Sequence, residues 1–187
     1  CSLGNHNICN TLAAIAVGME LNIDFPTIAD ALKVFSGVQR RFEILRRSDS
    51  LIIIDDYGHH PAEIQATLST AKEVWPNRRL VVVFQPHRFS RTQHLMESFY
   101  SSFNDADQLF LLDIYGAGEK PIEGIHSRKM AQGIREFGHK NVDYIEEVEI
   151  LVPHLQNSLQ SGDVILTLGA GNIGELAHKL VAQFHDW

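Results

Sequence analysis

Three short stretches hold the residues that could do chemistry. Asp55-Asp-Tyr-Gly-His-His60 puts two carboxylates, a phenol and two imidazoles directly behind the apolar run Leu51-Ile-Ile-Ile54. Gln85-Pro-His-Arg-Phe-Ser-Arg-Thr92 follows Leu80-Val-Val-Val-Phe84 and sets Arg88 and Arg91 three apart, with His87 and hydroxyls around them. Guanidinium groups are forked, permanently charged donors, so this pair could clamp a carboxylate or phosphate. The plain alternative is a solvated loop with an arginine capping something local, but two independent strand ends carrying such clusters favour function. Asp113-Ile-Tyr-Gly-Ala-Gly-Glu119 follows Gln108-Leu-Phe-Leu-Leu112 and reads either as a third contributor or as a glycine-rich connection. Asn7 and Asn10, three apart at a helix start, could be ordinary caps or a hydrogen-bonding edge for a base or sugar. His59-His60 invites a metal, yet adjacent histidines rarely face one ion and no ligand follows at zinc spacing, so no metal-binding residue is assigned.

The elements around these residues explain why they would meet. Four consecutive apolar residues, three of them β-branched, make a strand with no solvent face, as in the centre of a doubly covered sheet. Pro61 opens the next helix, because its fixed φ and missing N–H suit a first turn. Helices are expected at 5–21 and 26–35, the second stopped by Ser36-Gly37. A hairpin follows, 42–46 with 51–54, and then helices near 62–75, 92–103, 127–137, 148–160 and 173–184 alternate with strands 80–84, 108–112, 142–145 and 163–168. Such alternation predicts an α/β, Rossmann-like, mostly parallel six-stranded sheet with helices on both faces, preceded by a helical remnant of another domain. Ligands of open α/β sheets bind outside the carboxyl ends of the strands, where all three clusters fall.

Composition narrows the classes. The 187 residues are 44% hydrophobic, enough for a buried core, and carry a formal charge of -7, the wrong sign for a general nucleic-acid surface. Two cysteines without C-x-x-C spacing predict a reduced, cytoplasmic setting. No apolar run nears the roughly 18 residues of a membrane helix. No G-x-S-x-G elbow is present. The chain starts at Cys1, which reads as a fragment or a processed protein.

Gly169-Ala-Gly-Asn-Ile-Gly174 fits the dinucleotide fingerprint letter by letter, but in the wrong context. The fingerprint belongs to a first βαβ unit with an acidic residue about 20 positions on, whereas here the chain ends 13 residues after Gly174. A tight turn for close strand–helix packing is the favoured reading.

Five segments occur in the order seen in the Mur ligases: Gly4-Asn-His-Asn-Ile-Cys-Asn10, Gly37-Val-Gln-Arg-Arg-Phe-Glu43, Ile54-Asp-Asp-Tyr-Gly-His-His-Pro61, Phe84 to Thr92, and Leu168 to Gly174. The chain resembles that family across nearly its whole length. Phe84-Gln-Pro-His-Arg88 and Tyr115-Gly-Ala-Gly-Glu-Lys-Pro121 favour the member that joins L-alanine to UDP-N-acetylmuramate. A ligase for another muramyl peptide, or a non-catalytic nucleotide-binding module, is the alternative. The resemblance implies that residues 1–36 are the tail of a central ATPase domain and 37–187 a complete C-terminal domain, with Gly37 as hinge. It implies ATP and Mg²⁺ as cofactors, with no nucleic-acid or membrane partner. No G-x-x-x-x-G-K-[ST] is present, so the phosphate-cradling loop is expected on missing domains in cis and this piece is expected to be inactive alone. Also by resemblance, Asn7 and Asn10 meet adenine, Arg41 the phosphates and Asp56 the ribose. His59, His60, Arg88 and Arg91 are then the catalytic group, and Tyr57 and His87 bind substrate.

Overall fold

The computed structural model describes residues 5–35 and 37–187. Cys1 to Gly4 and Ser36 lie outside the described residues, and with them the first residue of the Gly4–Asn10 segment and half of the expected Ser36-Gly37 stop. The chain divides into two compact units between Gln39 and Arg40.

The first unit holds α1 (Asn5–Glu20) and α2 (Phe25–Val34). Asp24 caps α2 by accepting from the Thr27 amide at 3.2 Å, and Pro26 sits in its first turn. The helices approach closely at Gly18, where a Cβ would come within 2.8 Å of the Ile28 side chain. Among the described residues of this unit Ile28 is the buried hydrophobic side chain, whereas Ile8, Leu12 and Met19 from the apolar stripe of α1 are exposed. Two helices alone enclose too little volume for a core.

The second unit runs β1 (Glu43–Arg47), β2 (Leu51–Asp56), α3 (Pro61–Val74), β3 (Leu80–Phe84), α4 (Phe89–Tyr100), β4 (Gln108–Leu112), α5 (Ser127–Glu136), β5 (Val142–Ile145), α6 (Val148–Ser158), β6 (Asp163–Leu168) and α7 (Ile173–Gln183). The sheet order is β1-β2-β6-β3-β4-β5; β1 pairs antiparallel with β2, and the other neighbours are parallel. Crossover helices force the parallel pairings, and only the tight turn at Ser48–Ser50 permits an antiparallel one. Every residue of β2, β3 and β6 is buried, so no position there offers a polar side chain a route to water. One face of the sheet packs Leu51, Ile53, Val81, Val83 and Ile165 against Leu151 and Leu155 of α6 and Leu176 and Leu180 of α7. The α/β, mostly parallel, six-stranded architecture is the expected one. No helix among the described residues is long and apolar enough to cross a membrane.

One boundary differs in a way that matters for the site. Helix α4 starts at Phe89, not near residue 92, so Ser90, Arg91 and Thr92 form its first turn.

Candidate functional site

The carboxyl ends of β2, β6 and β3 lie side by side, with Asp56 opposite Leu168 and Leu168 opposite Phe84. Successive strand residues face opposite sides of the sheet, and the two aspartates obey this. Asp55, 1% exposed, accepts Nε of Arg40 at 2.8 Å and the Thr167 hydroxyl at 2.6 Å. Asp56, 4% exposed, accepts the Phe42 amide at 2.7 Å, the Gly58 amide at 2.7 Å and the Thr67 hydroxyl at 3.4 Å. Burial pushes the Asp56 carboxyl above its ordinary value, while the Gly58 and Phe42 amides pull it back. Asp56, expected at a ribose, engages both carboxylate oxygens within the chain, with three bonds for about four lone-pair positions.

Asp56 anchors a strained turn. Arg40 and Phe42 both have positive φ, 58° and 50°, each costing about 1–3 kcal/mol for a residue with a Cβ. The turn is held by Arg40 N donating to Glu43 at 2.8 Å, Phe42 N to Asp56, and Tyr57 N to the Arg40 carbonyl at 2.6 Å. Arg41, expected at the phosphates, is exposed at its apex with its guanidinium 5.7 Å from the Tyr57 ring centre. Arg40, its guanidinium 5.2 Å from the same ring centre, donates to the carbonyls of Gly169 at 2.6 Å and Gly171 at 3.2 Å.

That reach explains the glycine turn. A Cβ on Gly174 would sit 2.8 Å from Arg40 Nε, one on Gly169 2.7 Å from the Gln85 carbonyl, and one on Gly171 2.7 Å from the Gln85 side chain and 2.8 Å from the Tyr115 ring. Close approach of Arg40, Gln85 and Tyr115 is therefore a reason for glycine at these three positions.

In front of the strand ends runs a train of rings. Tyr57 meets His59 edge-on at 5.4 Å, His59 lies 6.0 Å from His87, and His87 stacks on Tyr115 at 5.7 Å and 15°. His59 Nδ1 is 3.0 Å from the Tyr57 carbonyl, which can only accept, so the neutral ring carries its proton there and its Nε2 is an acceptor. His87 is the reverse: Arg91 donates to its Nδ1 at 3.2 Å, leaving Nε2–H as donor. Burial, then the Arg91 charge, holds His87 below the usual imidazole range. Glu63 accepts the amides of His59 at 3.0 Å and His60 at 3.1 Å. Burial raises the Glu63 carboxyl, but those two amides together with the His59 and Arg41 charges bring it below its ordinary value. His60 is exposed just before Pro61, the first residue of α3.

Arg88 is exposed and also strained, at φ 74°. Its amide donates to the Tyr115 carbonyl at 2.8 Å, and the Tyr115 amide donates to the Pro86 carbonyl at 2.8 Å, so the β4–α5 loop is zipped to the β3–α4 loop. Glu119 accepts the Ser90 amide at 2.9 Å and the Ser90 hydroxyl at 2.7 Å, and lies 4.0 Å from Arg88. The two Ser90 bonds hold the Glu119 carboxyl below its ordinary range.

Tyr57, His59, His87 and Arg91 are thus gathered in one crevice outside the strand ends, with Arg88 flanking them beside Glu119 and Arg41 beside Tyr57. Asn7, half-buried, and Asn10, exposed, belong to α1 in the first unit. Sequence reasoning missed Arg40, Gln85 and Glu119. Arg40 was detectable only as one of two adjacent arginines. Among the described residues no three His, Cys, Asp or Glu side chains could share a metal ion.

The family model "Mur ligase, glutamate ligase domain" matches residues 40–171. The UDP-N-acetylmuramate–L-alanine ligase of Geobacter sulfurreducens is 49% identical over 98% of this chain, and that of Geotalea uraniireducens is 52% identical over 96%. The chain spans only 40% and 39% of those proteins. The crystal structure of UDP-N-acetylmuramate–alanine ligase from Thermotoga maritima superposes with a TM-score of 0.82 at 31% identity, over 98% of this chain and 38% of the other. A murein peptide ligase from Psychrobacter arcticus shares the fold, with a TM-score of 0.69 at 23% identity over 96% of this chain and 37% of its own.

Proposed function

Because the chain belongs to the Mur ligase family, we propose that it is the C-terminal part of an ATP-dependent ligase that joins L-alanine to the carboxylate of UDP-N-acetylmuramate in peptidoglycan synthesis. In this reading residues 1–36 are the tail of a central ATPase domain, and the chain by itself turns over no ATP. What supports the reading most is the meeting of Arg91 and His87 with Tyr57 and His59, with Arg88 alongside, in a chain whose similarity to such ligases covers 98% of its length.

The reaction has two steps. The muramate carboxylate attacks the γ-phosphate of ATP, giving an acyl phosphate and ADP; the alanine amine then attacks the acyl carbon and phosphate leaves. Both steps bring anions together, so the chain's contribution is cationic positioning. Arg88 and Arg91 hold the muramate and alanine carboxylates, and His87 locks Arg91 through the Nδ1 contact. His59, whose Nε2 lone pair is open, takes the proton released as the alanine amine forms its bond. His60 and Tyr57 line the same end. Arg41 serves the phosphate side, with Asn7 and Asn10 at adenine. Asp56 serves the ribose end and also fixes the turn that carries Arg41.

In the full-length enzyme, Arg91→Ala should cut phosphate release with UDP-N-acetylmuramate, L-alanine and ATP at least a hundredfold, with an unchanged unfolding midpoint. Turnover at the normal rate would remove Arg91 from the site.

A further inference from the structure

Helix α4 begins without a local cap: its N-cap residue is Arg88, which makes no capping side-chain bond. The first turn of a helix leaves amides that need acceptors, and here the acceptor arrives from 29 residues away. Glu119 binds both the amide and the hydroxyl of Ser90. The same loop supplies the Tyr115 carbonyl to the Arg88 amide. Gly116 sits so close that a Cβ would come within 3.1 Å of the Phe89 ring, the first residue of α4. A carboxylate at a helix N-terminus is favoured by the helix dipole.

Resting on the ligase reading above, we propose that Glu119 is a positioning residue, which caps α4 from the β4–α5 loop and thereby holds Arg88 in its left-handed backbone and aims both arginines into the crevice. Residue 88 carries a Cβ at φ 74°, a conformation that persists only where its surroundings over-determine it. The Tyr115 carbonyl and the capped Ser90 are those surroundings, one on each side of it. Without Glu119 the first turn frays, Arg88 relaxes to negative φ, and its guanidinium leaves the crevice. Arg91, one turn along, loses its aim with it.

The proposal also joins two segments that look unrelated in sequence. Phe84-Gln-Pro-His-Arg88 and Tyr115 to Pro121 become one device, the second fixing the first. A ligase with a different β4–α5 loop then aims its arginines differently, so acceptor choice depends on that loop as well as on the arginines.

The test is steady-state kinetics on the full-length enzyme, varying each substrate, for Glu119→Ala, Glu119→Gln, Arg88→Ala and the double variant Arg88→Ala/Glu119→Ala. Glu119→Ala should lower kcat/KM for UDP-N-acetylmuramate and L-alanine between about tenfold and a hundredfold, as a displacement of about 1 Å does, while KM for ATP and the unfolding midpoint stay near normal. Glu119→Gln keeps an acceptor for Ser90 and should retain most activity. In the Arg88→Ala background the loss from Glu119→Ala should shrink to the part that runs through Arg91, because Glu119 and Arg88 act as one unit. Additive losses, parallel losses for all three substrates with a lowered midpoint, or tighter binding of the anionic substrates on removing Glu119 would each overturn the positioning role. If Arg88→Ala and Arg91→Ala are themselves fully active, the ligase site fails instead, whatever Glu119 does.

Discussion

Arg40 gives the sharpest test of how the crevice floor is held. Its guanidinium binds Asp55 and the carbonyls of Gly169 and Gly171, so Arg40→Ala strands a carboxylate that is 1% exposed and two turn carbonyls. Removing one partner of a buried ion pair costs about 3–5 kcal/mol. The arginine side chain is itself a quarter exposed and Asp55 keeps the Thr167 hydroxyl, so the low end, ~3 kcal/mol, applies. For a unit of this size that corresponds to a midpoint lower by about 6–12 °C. Urea unfolding followed by tryptophan fluorescence and far-ultraviolet dichroism reads the loss, and agreement of the two probes checks the two-state assumption. Arg41→Ala, one residue on, is the control: its guanidinium is exposed at the turn, and the change should be within about 0.5 kcal/mol. Arg40→Ala/Asp55→Asn should recover part of the stability, since no charge is then left buried. A loss below about 1 kcal/mol for Arg40→Ala, or a double variant weaker than the single one, refutes the account.

Two further outcomes follow from the site. Gly171→Ala must push the Tyr115 ring at its root and the Gln85 side chain, which a Cβ would approach to 2.8 and 2.7 Å; a loss of about 1–3 kcal/mol is expected in urea unfolding, and an unchanged midpoint would show that the turn has slack. His87 in the site, and His139 away from it in the α5–β5 connection, both lie below the ordinary 6.5, chiefly through burial. The unfolded chain therefore binds more protons than the folded one between 6.5 and the folded values, so stability should fall as pH drops from 7 to 5.5. Equal or greater stability at 5.5 in paired urea titrations would contradict that sign.

The strands were legible because β2, β3 and β6 are written as near-continuous apolar runs, Leu51–Ile54, Leu80–Phe84 and Val164–Leu168, interrupted by Thr167 alone, as strands buried on both faces are. Their order was not, since nothing local in Val164–Leu168 says that it lies between β2 and β3. The clusters at the strand ends were legible as a group for the same reason that they meet: each follows a parallel strand. Roles within a group were not. Asp55 and Asp56 are adjacent and identical, yet one pairs with Arg40 and the other with the Phe42 amide. The start of α4 was hidden because its cap comes from Glu119, while sequence cues for helix starts look only a few residues away.

The position of β6 has a consequence for how the molecule is made. It is the last described strand in chain order yet occupies the middle of the sheet, pairing Asp163 with Leu51 and Val164 with Leu80. Until it emerges from the ribosome, β2 and β3 have no central partner, and their apolar edges stay open to other chains. Local helices and the β1–β2 hairpin can form early, but the sheet closes only across a separation of more than a hundred residues, a slow search for parallel strands. Nascent chains stalled before residue 163 should therefore be targets for chaperones and proteases, whereas those carrying β6 clear of the exit tunnel should resist digestion.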